Sequence, residues 1–144
     1  MTDAEYKAAK KRVQAVADRW RTVLGLGWWR ITFVWSRTEK ATDEERHGRD
    51  FNCIADTSVK WQYLDATITF YLPMVTGVSD DHLDYIVRHE FMHVLVREMR
   101  WQDHGDADNL DHEERVATTL AKAFAWTREA GVREGRKQAK GKAA

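Results

Sequence analysis

The segment His89-Glu90-Phe91-Met92-His93 holds the residue types best suited to chemistry. On a helix, residues four apart lie one turn above each other on one face, so both imidazoles can reach a single zinc ion at about 2.0 to 2.1 Å. Glu90 lies about 100° round the helix from His89 and about 60° from His93. Its carboxylate can therefore take a proton from a water beside the metal while staying out of the coordination shell. In a chain with six histidines among 144 residues, this pattern arises by chance roughly two times in a hundred, so its surroundings have to carry the argument. From Tyr85 to Val96 the sequence is apolar on nearly every side of a helix, and Arg88, His89, Glu90 and His93 interrupt it. Polar groups in a buried helix need partners.

A catalytic zinc needs a third protein donor and an open position. A later helical pattern begins with His112, Glu113 and Glu114. At about 100° per residue, the apolar residues Val116, Ala117, Leu120, Ala121, Ala123 and Phe124 centre where Glu113 also falls, with His112 and Glu114 on the flanks. A carboxylate in the middle of an apolar face is costly unless it is paired or bound to metal. The wheel thus points to Glu113 as the third ligand. A solvated Glu113 at the helix N-terminus is the alternative.

The elements that would position these groups can be read in order. Tyr6, Ala9, Val13, Val16 and Trp20 recur at helical spacing between Asp3 and Leu24, and Gly25 and Gly27 end the helix. Trp29, Ile31, Phe33 and Trp35 alternate with Arg30, Thr32, Val34 and Ser36, the pattern of a strand with one buried face. The polar stretch Arg37 to Asp50, with His47, reads as an exposed loop. Two β-rich stretches, near Phe51 to Tyr63 and Ala66 to Leu72, read as an antiparallel pair closed by Pro73. Trp28, Trp29, Trp35 and Trp61 are expected to fill the core. Asp80, Asp81 and Asp84 favour a helix start, and that helix is expected to run to about Met99. After a loop with Gly105, Asn109 or Asp111 can cap a last helix that ends at Gly131. The fold class expected is α+β: an N-terminal helix, a small, mostly antiparallel three-stranded sheet, the His-Glu helix and a glutamate helix. Residues 1–131 make one domain and 132–144 a basic, disordered tail.

His-Glu-Phe-Met-His on a buried helix, followed by a second helix opening His-Glu-Glu-Arg-Val-Ala-Thr-Thr-Leu, resembles the gluzincin metallopeptidases, whose third ligand is a glutamate on a downstream helix. The order of elements from about Trp29 to Trp126 is similar to the minimal zincin core of small bacterial and phage-encoded members, including peptidase domains of the ImmA/IrrE kind. The resemblance implies zinc on His89, His93 and Glu113, with Glu90 as base and proton shuttle. It also implies a peptide substrate extended along an exposed edge strand, for which Ala66 to Phe70 is the candidate. Some family features differ: Val94 to Arg97 lack the metzincin pattern, and Ala117 stands where thermolysin-like relatives carry an aspartate. The partner that orients each histidine is thus not identified by motif. His104 and His112 are available as oxyanion donors.

Composition narrows the function classes. Basic and acidic residues both number 23, which does not advertise a nucleic-acid or membrane partner. Cys53 is the single cysteine, so an intramolecular disulfide and a Cys-rich zinc site are excluded and a reducing, cytoplasmic compartment is expected. Met1 to Arg21 lacks the apolar stretch of a signal peptide or membrane span. Two readings stand: a zinc metallopeptidase acting on a protein or peptide, and a non-catalytic zinc-binding or partner-binding domain. A nucleic-acid module using the basic tail is the third, and the balanced charge favours it least.

Overall fold

The computed structural model describes residues 1–39, 53–101 and 107–141, and within its helices not the side chains of 98–112, 134 and 137–141. The expected loop positions 40–50 with His47, and positions 102–106 with His104 and Gly105, lie outside the described residues. So does the side chain of His112.

Helix α1 spans Asp3–Val23. Thr2 and Glu5 form a reciprocal capping box at its start. Gly25, at φ +66°, turns the chain out of it in the left-handed region where glycine carries no Cβ penalty. A short 3-10 turn, Leu26–Trp28, follows. Trp28 is therefore in a turn rather than a strand, and it is 68% exposed. That corrects its expected place in the core. Trp29 is buried, and Trp35 and Trp61 pack against the core half-buried.

Strands β1 (Arg30–Ser36), β2 (Ala55–Lys60) and β3 (Asp65–Tyr71) form one sheet in the order β1-β3-β2. β1 runs parallel to β3, and β2 runs antiparallel to it, so the α+β fold carries a mixed sheet with one ladder of each kind. β3 is the central strand, with Ala66, Ile68 and Phe70 buried. The expectation that Ala66 to Phe70 is an exposed edge is thus corrected: both its sides are paired, and among the described strands β1 and β2 are the outer ones. One face of the sheet aligns Phe33, Ile68 and Thr57 across the three strands, with Trp35, Phe70 and Ala55 in the next row. Phe33 meets Phe91 edge-on at 6.3 Å, and Trp35 stacks on Phe70 at 5.7 Å.

Pro73 opens the single turn α2 (Leu72–Val75), where its missing N–H costs nothing. Helix α3 spans Asp80–Trp101 and packs against α1, β2 and α4. Its rotation is fixed at its N-terminal end. Asp84 accepts from Trp20 Nε1 at 2.9 Å and from Arg88 at 2.7 Å, and also pairs with Arg19. Arg12 bonds Asp80 and the carbonyls of Val75 and Val78. With Arg88 held against the Trp20 ring, the helical period turns His89 and His93 toward α4 and Glu90 toward β2.

Helix α4 runs over Ala107–Gly141. It starts before Asn109 and does not stop at Gly131, which lacks the positive φ of a helix-ending glycine. One mid-helix glycine costs only about 1 kcal/mol relative to alanine, and the arginines, glutamates and lysines around it are good helix formers. The helix thus continues into the segment expected to be a disordered tail. Among the described residues, no helix is long and apolar enough to cross a membrane.

Candidate metal centre

His93 is the buried hub of the site. Its Nδ1 lies 3.0 Å from Glu113 Oε1, and the carboxylate, by accepting from Nδ1–H, favours the tautomer whose Nε2 lone pair is left for another partner. His93 Nε2 stands 3.0 Å from His89 Nε2. The carboxylate of Glu114 closes the group, with Oε2 at 3.2 Å from His89 Nε2 and Oε1 at 3.3 Å from His93 Nε2. His89, His93 and Glu114 can therefore hold a metal ion together.

The donor chemistry fits a cation. Two imidazole nitrogens and a carboxylate, each offering lone pairs, converge to within contact distance, which is unfavourable unless a proton or a metal ion lies among them. Bonds of about 2.0 to 2.1 Å arranged tetrahedrally put donor atoms about 3.3 Å apart. The two imidazole nitrogens are 3.0 Å apart, each meets a different oxygen of Glu114 at 3.2 or 3.3 Å, and one donor atom from each residue lies within 4.8 Å of the others. Glu114 is half exposed, so the group opens on solvent, as a site with a free coordination position requires.

Glu113, the ligand expected from the helical wheel, stands apart from the group of His89, His93 and Glu114. It is buried, as the wheel requires, but its oxygens are turned to His93 Nδ1 and to Arg97, whose NH1 donates to Oε2 at 3.2 Å. Without an ion, Glu113 thus faces the far nitrogen of His93, and the carboxylate that faces both Nε2 atoms is that of Glu114, on the flank of the wheel. The physical reason is that a buried carboxylate has two remedies, pairing and metal, and Arg97 with His93 supplies the first. Ala117 and Ala121, both buried, let α4 approach α3 closely enough for this contact. Thr118 stands beside the other imidazole, its Oγ1 3.5 Å from His89 Nδ1.

Glu90 lies on the other side, beneath the sheet. Ala55, Thr57 and Val59 form the inward face of β2, and Thr57 is its one polar member. Its hydroxyl donates to Glu90 Oε2 at 2.5 Å. Among the described residues Glu90 Oε1 has no hydrogen-bond partner. Sequence reasoning missed Thr57, although the alternation Ala55, Thr57, Val59 carries the signal of a hydroxyl in a core-facing register.

Charge follows burial. Burial raises the Glu90 carboxyl above the usual carboxylate range, against the opposing pull of the Thr57 bond and both imidazoles. Burial also works against a charged His93, but its bond to Glu113 and the attraction of Glu90 and Glu114 outweigh that, and its pKa is raised. The bond to His89 and the nearby imidazoles hold Glu114 below its ordinary value despite partial burial.

These directions predict two opposite pH slopes. A raised His93 and a raised Glu90 mean that the metal-free native state binds more protons than the unfolded chain. Their contribution is complete below the unfolded values, 4.5 for Glu90 and 6.5 for His93, and is lost as pH rises through the folded ones. Metal-free protein should melt at a lower temperature at pH 8 than at pH 6. Metal competes with the His93 proton, so metal retention should rise over that interval and fail on acidification above the ordinary histidine range. Calorimetry with and without zinc at both pH values checks the pair of signs.

Compared with protein-family models, with curated proteins and with solved structures, the chain has no match in any of the three, and the meaning of the site rests on its own residues.

Proposed function

We propose that the chain is a zinc-dependent peptide hydrolase, with the metal on His89, His93 and Glu114 and with Glu90 as general base. The observation that carries this reading is the convergence of His89 Nε2, His93 Nε2 and the Glu114 carboxylate beside a buried carboxylate, Glu90, that is not one of the donors. A zinc ion held there supplies Lewis acidity, polarising a carbonyl and acidifying water.

The chain's own groups do the rest. Thr57 holds Glu90 by Oε2, leaving Oε1 to take the proton of the attacking water and return it to the leaving amine. A carboxyl raised by burial suits the transfer, because its carboxylate is a stronger base toward water than an ordinary one, while the acid so formed is still strong enough to protonate an amine. Glu113 fixes the His93 ring, and Arg97 holds Glu113. Peptide is the favoured substrate class because β2, which carries Thr57, is an outer strand among those described, to which an extended chain can add.

The test is hydrolysis of unfolded casein by purified protein. Activity should disappear with a chelator, return on adding zinc, and track zinc content near one ion per chain by native mass spectrometry. A chain that binds one zinc and cleaves nothing would move the reading to a non-catalytic metal-binding domain. A chain that takes up no zinc would remove the metal centre.

A further inference from the structure

The charge balance of the whole chain conceals a segregation. Residues 122–142 carry a net charge of +5 and residues 1–121 a net charge of −5. The continuity of α4 to Gly141 turns the basic part from a stretch of sequence into a surface. Its last twenty helical residues span about 30 Å. Beyond Ala121 the described residues are exposed or half-buried, so this half of the helix adds nothing to the core.

At about 100° per residue, Lys122, Trp126, Arg133 and Arg136 fall within one arc of about 80°. All four are exposed, Trp126 at 71%. Lys137 and Lys140 continue the same spacing in the sequence, and Glu129 is the one acid on this arc. Arg128 faces elsewhere, with its guanidinium over the Trp20 ring at 5.9 Å, and ties the helix to α1. The exposed apolar residues Phe124, Trp126 and Val132 point in three directions. They make no continuous apolar stripe of the kind that lays a helix into a membrane surface.

We propose that this basic ridge binds the phosphate backbone of a nucleic acid without sequence preference. Cations repeated along one helix face release counterions from a polyanion, and an exposed indole among them offers a flat surface to a base. The proposal uses none of the metal donors and stands apart from the hydrolase reading.

Fluorescence anisotropy of the whole protein tests it, with a labelled 30-nucleotide single strand and a labelled 30-base-pair duplex between 50 and 300 mM NaCl. At least one probe should bind, and binding should weaken steeply with salt. The K122E/R133E/R136E variant should bind at least tenfold more weakly at 50 mM, with the log–log salt slope reduced by about two to three. A K7E/K11E control on α1 should bind within twofold of the natural chain, and both variants should keep its melting temperature within a few degrees. Absence of binding to either probe overturns the proposal. So does an equal loss in the control, insensitivity to salt, or binding only to phosphatidylserine vesicles.

Discussion

Glu114→Ala protein should purify without zinc, whereas Glu113→Gln should still take up one ion per chain when zinc is in excess. The two residues are neighbours on α4, and their side chains have different partners. Glu114 reaches the Nε2 atoms of both histidines, at 3.2 and 3.3 Å. Glu113 meets His93 at its far nitrogen, Nδ1, at 3.0 Å. Removing Glu114 takes away one of three donors and leaves a site open on two sides. Glutamine at 113 keeps an acceptor for the Nδ1 proton and loses the charge that Arg97 pairs with. Loss of an orienting carboxylate of this kind lowers metal affinity by about 10- to 100-fold. Titration with zinc, followed by native mass spectrometry, separates a lost site from a weakened one. The reverse result, with stoichiometry lost in the Glu113 variant and kept in Glu114→Ala, would restore the ligand set that the resemblance implies.

Replacing Glu90 by glutamine should reduce hydrolysis by about 10² to 10⁴-fold, the range typical of a positioned acid-base group, and leave zinc stoichiometry unchanged. The carboxylate is buried and is not one of the three donors, so its loss removes the proton acceptor and not the metal. The same substitution should raise the melting temperature of metal-free protein at pH 7 to 8. Burial holds the folded Glu90 pKa above 4.5, so ionising it in the folded state costs free energy that the unfolded chain does not incur. That cost is absent at low pH and grows as pH rises past 4.5, so the two proteins should melt together near pH 4 and diverge above it. A stability gain combined with lost activity is the signature of a group retained for chemistry rather than for folding. Full activity in the glutamine variant would remove Glu90 from the mechanism.

Much of this arrangement is legible in the sequence, because it depends on local spacing. Histidines four apart must share a helix face, and period-two alternation from Trp29 to Trp35 must give a strand with one inward side. Gly25 marks the end of α1 because only a turn at positive φ lets the chain leave there. The wheel also puts Glu113 on the apolar face, and it is buried there. Each of these is set by a residue and its near neighbours.

What the tertiary structure decided concerns partners from distant parts of the chain. Pattern alone finds β2 and β3 but not the order β1-β3-β2, because register and neighbour choice depend on which strands share the layer under α3. That order makes β2 an outer strand among those described and brings Thr57 against Glu90. The setting of Glu113 turns on Arg97, which stands 16 residues earlier and supplies the charge that a buried carboxylate requires. A helical wheel reports which side chain is buried. It cannot report whether a neighbouring helix meets that side chain with a cation or leaves it to a metal.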